Sequence, residues 1–236
     1  MLNKLKLIMP MAGEGSRFRD NGYSEFKPFI DVNGVPMFQH AVNTIGLDFD
    51  EKIFIVQKAH DIRSKVLEIY PDAHVIELQE RTSGAAATIL TAREHMDADT
   101  SIFTSNCDQH VEWNTDNFMS IVHSDVDGII PTFECPERDP KWSYARSENG
   151  YVAEVAEKNA ISTKATVGFY YWNSSLDFIR DAEQMINRDI RVNGEHYLCP
   201  VYNQTIENGG KVVTYDVDRM LGIGTPDDLE AFLQND

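Results

Sequence analysis

LIMPMAGEGSRFRDNGYSEFKPF, residues 7–29, is the stretch from which the rest of the chain is read. The apolar run Leu7-Ile8-Met9 is cut by Pro10, passes into a turn carrying Gly13 and Gly15, and is followed by Arg17 and later by Lys27-Pro28. Glycine lets main-chain N–H groups approach a phosphate oxygen with no Cβ in the way, so this turn after a strand reads as a phosphate cradle. Arg17 and Lys27 supply the fixed positive charge that a triphosphate and its charged transition state require. The turn is not the dinucleotide fingerprint, which would put glycine where Phe18 stands, and not a P-loop, which needs Gly-Lys-Ser/Thr. On its own a GxG turn is a weak signal, and a plain strand-to-helix connection beside a solvated basic patch is the competing reading.

Outward from this stretch, short β-rich runs alternate with segments of helical period, the pattern of an α/β fold on a largely parallel sheet covered on both faces. The runs near Lys4–Met9, Lys52–Gln57, His74–Leu78, Ser101–Ser105, Gly128–Phe133, Tyr151–Val155, Thr166–Trp172 and Lys211–Val217 read as strands. Pro36 opens one helix, Ile62, Val66 and Ile69 share the face of another, and alanine-rich Ser83–Met96 forms a third. Leu176, Ile179 and Ile186 mark a fourth, and Thr225-Pro226 is the capped start of the last. Open α/β sheets bind ligands at strand carboxyl ends, which points to the loops Pro10–Phe29, Gln79–Gly84 and Asn106–His110.

The 236 residues, 42% of them hydrophobic, suit one domain spanning 1–236. Lys and Arg number 21 against 38 Asp and Glu, a net charge of −17 that would repel a polyanion. Nucleic acid is therefore not expected as a partner, and a phosphate-bearing ligand must be small and held in a locally basic or metal-bridged pocket. Cys107, Cys135 and Cys199 show no zinc spacing and an odd count, which fits a reducing cytosol and a cytoplasmic protein. No run is long and apolar enough for a membrane span or a signal segment. The oligomeric state is open.

Further chemistry sits at the other strand ends. Asp108, in Asn106-Cys107-Asp108, can hold a hard cation through oxygen, although a strand-end aspartate capping a turn is an even alternative. His110 would extend it to an Asp-x-His pair. Gln79 offers an amide that both donates and accepts to a base edge, and Ser83-Gly84-Ala85 puts a nearly bare helix start beside it, unless Ser83 is a simple N-cap. Lys158 suits an acceptor phosphate and Glu157 a hydroxyl or ammonium group, with an exposed ion pair as the competing reading.

In order along the chain, Met11-Ala12-Gly13-Glu14-Gly15-Ser16-Arg17-Phe18, Lys27-Pro28, Gln79 with Ser83-Gly84-Ala85-Ala86, Asn106-Cys107-Asp108, and Glu157-Lys158 with Val167-Gly168 resemble the sugar-phosphate nucleotidylyltransferase superfamily. The C-terminal third, Asn193–Asn203 and Gly222–Pro226, is similar to capsule-associated members, including cytidylyltransferases. The resemblance implies a Rossmann-like mixed, mostly parallel sheet, with a nucleotide-binding half over about 1–110 and an acceptor half over about 111–236. It implies an Mg²⁺-dependent transfer from a pyrimidine triphosphate (CTP, UTP or dTTP) to a sugar phosphate or other small phosphorylated acceptor, for surface-polysaccharide precursors. Arg17, Lys27 and Asp108 would be catalytic. Met11, Ala12, Gly13, Gly15, Ser16, Gln79, Ser83, Gly84 and Ala85 would hold the nucleotide, and Glu157, Lys158 and Gly168 the acceptor. The chain departs from the family where many members carry a second metal-binding aspartate, because Gly222 stands there; Asp218 or Asp216 is the candidate substitute. Two other readings compete: a glycosyltransferase using Asp108-Gln109-His110 as its metal motif, and a non-catalytic nucleotide sensor.

Overall fold

The computed structural model describes residues 3–235, so the ends of the 1–236 span, residues 1, 2 and 236, lie outside the described residues. Strand β1 (Lys4–Pro10) leads into the short helix α1 (Ser16–Asp20), the ribbon β2 (Asp31–Val32) and β3 (Val35–Pro36), and α2 (Met37–Ile45). Then follow β4 (Glu51–Gln57), α3 (Arg63–Ile69), β5 (His74–Leu78), α4 (Ala85–Leu90) and β6 (Thr100–Ser105). The second half holds β7 (Gln109–Glu112), α5 (Thr115–Val122), β8 (Gly128–Glu134), β9 (Ser143–Glu148), β10 (Tyr151–Glu157), β11 (Lys164–Thr166) and β12 (Phe169–Trp172). It closes with α6 (Ser175–Asn187), α7 (Val201–Glu207), β13 (Val212–Asp216), β14 (Arg219–Gly222) and α8 (Pro226–Asn235).

The main sheet runs β10-β9-β11-β8-β12-β6-β1-β4-β5, with β13 parallel to β8. From β6 through β1 and β4 to β5 every pair is parallel, and β12 joins β6 antiparallel, so the sheet is the mixed Rossmann-like type. Alternation along the strands sorts the core into two layers. Leu7, Met9, Phe54, Phe103 and Tyr171 meet α2, α3 and α5 on one face. Ile8, Ile53, Ile55, Ile102 and Trp172 meet α4, α6 and α7 on the other. That double burial is why β1, which opens with Lys4 and Lys6, continues as the unbroken apolar run Leu7-Ile8-Met9.

Three departures from the sequence reading bear on the site. The strand expected at Thr166–Trp172 is broken at Gly168, whose φ of 83° bends it. Residues before the bend pair with β9 and those after it with β6, so β6 and β9 splay apart and a cleft opens at the carboxyl end of β6. The helix expected over Ser83–Met96 is only Ala85–Leu90, followed by a 3-10 turn at Arg93–His95. The loop expected at Asn106–His110 enters β7 at Gln109, which pairs antiparallel with β14. That ribbon folds the C-terminal segment back over the cleft, where Phe18, Ile30, Met37, Ile223, Leu229 and Phe232 form a separate apolar cluster.

Candidate active site

The turn after β1 is pinned from beside it. Met11 N–H donates to the Ile55 carbonyl at 2.7 Å and the buried Gln57 side chain donates to the Ala12 carbonyl at 2.6 Å. A Cβ on Gly13 would meet nothing within 4 Å, so its backbone faces open space. Gly15 has φ 61°, and a Cβ there would lie 2.9 Å from Lys27 Cβ, so conformation and close approach both require glycine. Phe18, wholly buried, anchors the short helix α1 that carries Arg17. Burial of such a ring contributes about 1.5–3 kcal/mol.

Two cavities of about 350 and 340 Å³ meet at Arg17, Asn106, Asp108 and Gly224. Gly13, Gly15, Ser16 and Lys27 line the first; Ala85, Trp142, Glu157, Lys158, Gly168 and Tyr197 line the second. At their junction Lys27 Nζ donates to Asp108 Oδ2 at 2.5 Å. Burial pushes the Lys27 ammonium down, but the charge and hydrogen bond of Asp108 outweigh it and raise it above its ordinary value, so Lys27 is a cation at neutral pH. Burial pushes the neighbouring Cys107 thiol up to about 12, which leaves it neutral and unsuited to act as a nucleophile. Among the described residues the exposed Arg17 guanidinium has no carboxylate partner.

Asp108 is held where it is by absent side chains. A Cβ on Gly224 would come within 2.5 Å of Asp108 Oδ2, and Ile223 N–H donates to the Asp108 carbonyl at 2.9 Å. A Cβ on Gly168 would meet Asn106 Nδ2 at 2.5 Å. Gln109, buried, donates to Ser105 Oγ and to the Asn106 carbonyl, both at 3.1 Å, and so fixes the turn that presents Asp108. Across the second cavity Lys158 Nζ donates to Tyr197 Oη at 2.6 Å. Burial raises the Glu157 carboxyl above its ordinary value even though it accepts from Ser143 Oγ.

Other residues singled out in the sequence sit elsewhere. Gln79 is exposed and lines neither cavity. Ser83 Oγ lies 2.7 Å from His196 Nδ1, and a Cβ on Gly84 would meet the His196 main chain at 2.5 Å; of this set only Ala85 reaches a cavity wall. His110 lines neither cavity, its Nδ1 lying 3.0 Å from His40 Nε2, so it does not join Asp108 there. Asp216 is occupied by Thr132 and Lys164, and Asp218 is exposed away from both cavities. A Cβ on Gly222 would lie 3.3 Å from the Trp142 ring, a tight contact that a shift of a few tenths of an ångström would relieve. Besides Glu157, the carboxylate that lines the second cavity with Asp108 is Asp228, which accepts from Thr225 Oγ1 at 2.7 Å. The carboxylate oxygens of Asp108 and Asp228 are of the donor type that Mg²⁺ takes, one or two such groups being completed by phosphate oxygens and water. Gln57 and Asp228 escaped the sequence reading, and Gln109 entered it only as part of a metal motif, not as the brace of the turn. Only Asp228, three residues after the capping Thr225, had a visible signal, and it pointed to a helix start rather than to a ligand.

Comparison with known proteins places the fold and the family. A solved nucleoside-diphosphate-sugar pyrophosphorylase from Vibrio cholerae RC9 is 26% identical and superposes over 97% of this chain and 99% of its own with a TM-score of 0.82. The inositol-1-phosphate CTP transferase from T. maritima shares the fold at TM-score 0.78 and 14% identity, covering 99% of this chain and 94% of that one. UTP–glucose-1-phosphate uridylyltransferase AglF of Haloferax volcanii is 21% identical over 241 residues, 96% of this chain and 94% of that protein. The bifunctional protein GlmU of Methanocaldococcus jannaschii is 24% identical over 179 residues, 66% of this chain, which spans only 43% of that longer protein. The MobA-like NTP transferase domain matches residues 8–128, just over half of the chain and the part that carries Gly13, Arg17, Lys27 and Asp108, and the chain belongs to that family.

Proposed function

We propose that the chain is a nucleotidylyltransferase that joins a pyrimidine nucleoside triphosphate to a sugar phosphate or other small phosphorylated acceptor and releases pyrophosphate. The observation that carries this reading is the Lys27–Asp108 pair at the junction of two cavities, with Arg17 lining both. The glycine turn and Lys27 on one cavity and Glu157 and Lys158 on the other support a triphosphate in the first and an acceptor in the second, with the bond forming at their shared wall. An acceptor phosphate oxygen attacks the α-phosphorus, the bond from that phosphorus to the β-bridging oxygen breaks, and pyrophosphate departs with the electron pair. A phosphate monoester is largely ionised at neutral pH, so no strong base is required.

The work assigned to this chain is alignment and charge neutralisation. Main-chain N–H groups around Gly13 and Gly15 receive the triphosphate and Arg17 pairs with it. Lys27 stabilises charge at the α-phosphorus and on the departing pyrophosphate. Lys158, oriented by Tyr197, holds the acceptor phosphate, and Glu157 accepts from an acceptor hydroxyl or ammonium. Asp108 and Asp228 would hold magnesium, which when bound neutralises phosphate charge. The pyrimidine preference and a role in surface-polysaccharide precursor synthesis rest on the motif resemblance. So does the division of labour between residues of about 1–110 and about 111–236.

The glycosyltransferase reading loses support because His110 does not face the site. A pyrophosphate-release screen of common nucleoside triphosphates against sugar 1-phosphates and other phosphorylated acceptors, with Mg²⁺, tests the proposal. Stoichiometric pyrophosphate and nucleotidylated acceptor are expected. Transfer of a sugar from a nucleotide-sugar, or binding without turnover across the panel, would sink it.

A further inference from the structure

At the opposite end of the sheet from the cleft, three side chains of metal-ligand type converge. Glu51 opens β4, His74 opens β5, and His95 closes the 3-10 turn between α4 and β6. Glu51 Oε2 is 3.6 Å from His74 Nε2 and 3.6 Å from His95 Nδ1, and the three ligand atoms all lie within 4.8 Å of one another. A tetrahedral Zn²⁺ with bonds of about 2.0–2.1 Å holds its donor atoms about 3.3 Å apart, so the two 3.6 Å spacings need to contract by a few tenths of an ångström and the two imidazoles, within 4.8 Å, to close by a side-chain rotation of His74 or His95.

The surroundings brace this arrangement. Lys6, only 4% exposed, takes the other Glu51 oxygen at 2.9 Å and donates to the His95 main-chain carbonyl at 2.8 Å, which fixes two of the three ligand-bearing residues. Outer partners of this kind are what hold first ligands in place in metal centres. The side chain of His74 is 50% exposed, leaving an open approach for the cation and for a fourth ligand from water. Two imidazoles and one carboxylate suit zinc and its neighbours, whereas magnesium would call for oxygen throughout.

We propose that Glu51, His74 and His95 bind one zinc-class divalent cation and clip the starts of β4 and β5 to the 3-10 turn. Glu51 and the cleft end of β4 at Gln57 are about 20 Å apart along the strand. The site therefore stands apart from the transfer reaction and from any metal held by Asp108.

Untagged, metal-stripped full-length protein titrated with Co²⁺ and followed by visible absorption reads the site without reference to activity. One Co²⁺ per chain is expected, with the intense d–d bands of four-coordinate cobalt, bleached by added Zn²⁺. Those bands should weaken about tenfold or more in affinity in both His74→Ala and Glu51→Gln, and persist in Asp108→Asn. Glu51→Gln keeps the side-chain shape, and circular dichroism confirms that each variant is folded. Bands unaffected by either substitution, bands lost in Asp108→Asn, or no saturable binding by the wild type would each overturn the proposal.

Discussion

Replacing Gly224 by alanine adds one methyl group to the wall between the two cavities and tests the role of Asp108 without touching any charged residue. The new Cβ would sit 2.5 Å from Asp108 Oδ2, and ordinary carbon–oxygen contacts begin at about 3.3 Å, so the oxygen must retreat by roughly 0.8 Å. The clash is with the far end of a side chain, and Gly224 is not in the left-handed region, so the carboxylate moves and the backbone stays. Lys27 loses the partner it holds at 2.5 Å, and both the cation and the proposed metal ligand leave their aligned positions. A displacement near 1 Å at a reacting centre costs on the order of 10²-fold in rate. We expect kcat for pyrophosphate release to fall by about that factor, with circular dichroism and the melting temperature close to wild type. Loss of Lys27 itself, in Lys27→Ala, should cost about 10²–10³-fold, by analogy with loss of one oxyanion donor. Because both changes act through one pair, Gly224→Ala/Lys27→Ala should be little worse than Lys27→Ala alone. Near-wild-type turnover in Gly224→Ala, or full multiplication of the two effects, would refute the reasoning.

Lys158→Ala should raise the KM for the acceptor while sparing triphosphate affinity measured by calorimetry; collapse of triphosphate binding would remove Lys158 from the acceptor subsite. Asp228→Asn should raise the Mg²⁺ concentration needed for half-maximal turnover by about tenfold or more, and an unchanged requirement would leave Asp228 only its capping contact with Thr225. Tyr202 Oη donates to the carbonyls of Ile129 and Tyr171, so Tyr202→Phe strips buried acceptors and should lower unfolding free energy by about 1–3 kcal/mol in denaturant titrations, with KM unchanged. Lys27 is held above its ordinary 10.5, and a raised cation stabilises the fold fully below its unfolded value and loses that contribution as pH rises through its folded value. The stability difference between wild type and Lys27→Met should thus be constant between about pH 6 and 9 and shrink only above about 10.5; a difference that changes near neutrality would contradict a charged Lys27.

What was legible in the chain was local. The run Leu7-Ile8-Met9 and its counterparts announce strands buried on both faces because each residue carries its own preference for water or core. Gly15, Arg17, Lys27 and Asp108 stand out by residue type and order alone, and the structure brings all four to one cavity. What stayed hidden depends on partners far along the chain. The β7–β14 ribbon joins two four-residue stretches of mixed polarity, Gln109–Glu112 and Arg219–Gly222, with no period of their own to reveal them. Gly84 reads as an open surface until His196, more than a hundred residues away, is seen to occupy the space. Asp228 likewise lines the cleft beside the packing of Phe18, Ile223, Leu229 and Phe232, residues from distant parts of the chain.

The bend at Gly168 also governs how the protein can move. Strand β12 is hydrogen-bonded to β6 on one edge and to β8 on the other, and its continuation β11 is bonded to β8 and β9, so one stretch of chain is stitched into both walls of the cleft. A hinge that swung the halves as rigid bodies would have to tear this ladder. The two walls therefore keep a fixed spacing, and the fold serves as a rigid bench rather than as a pair of jaws.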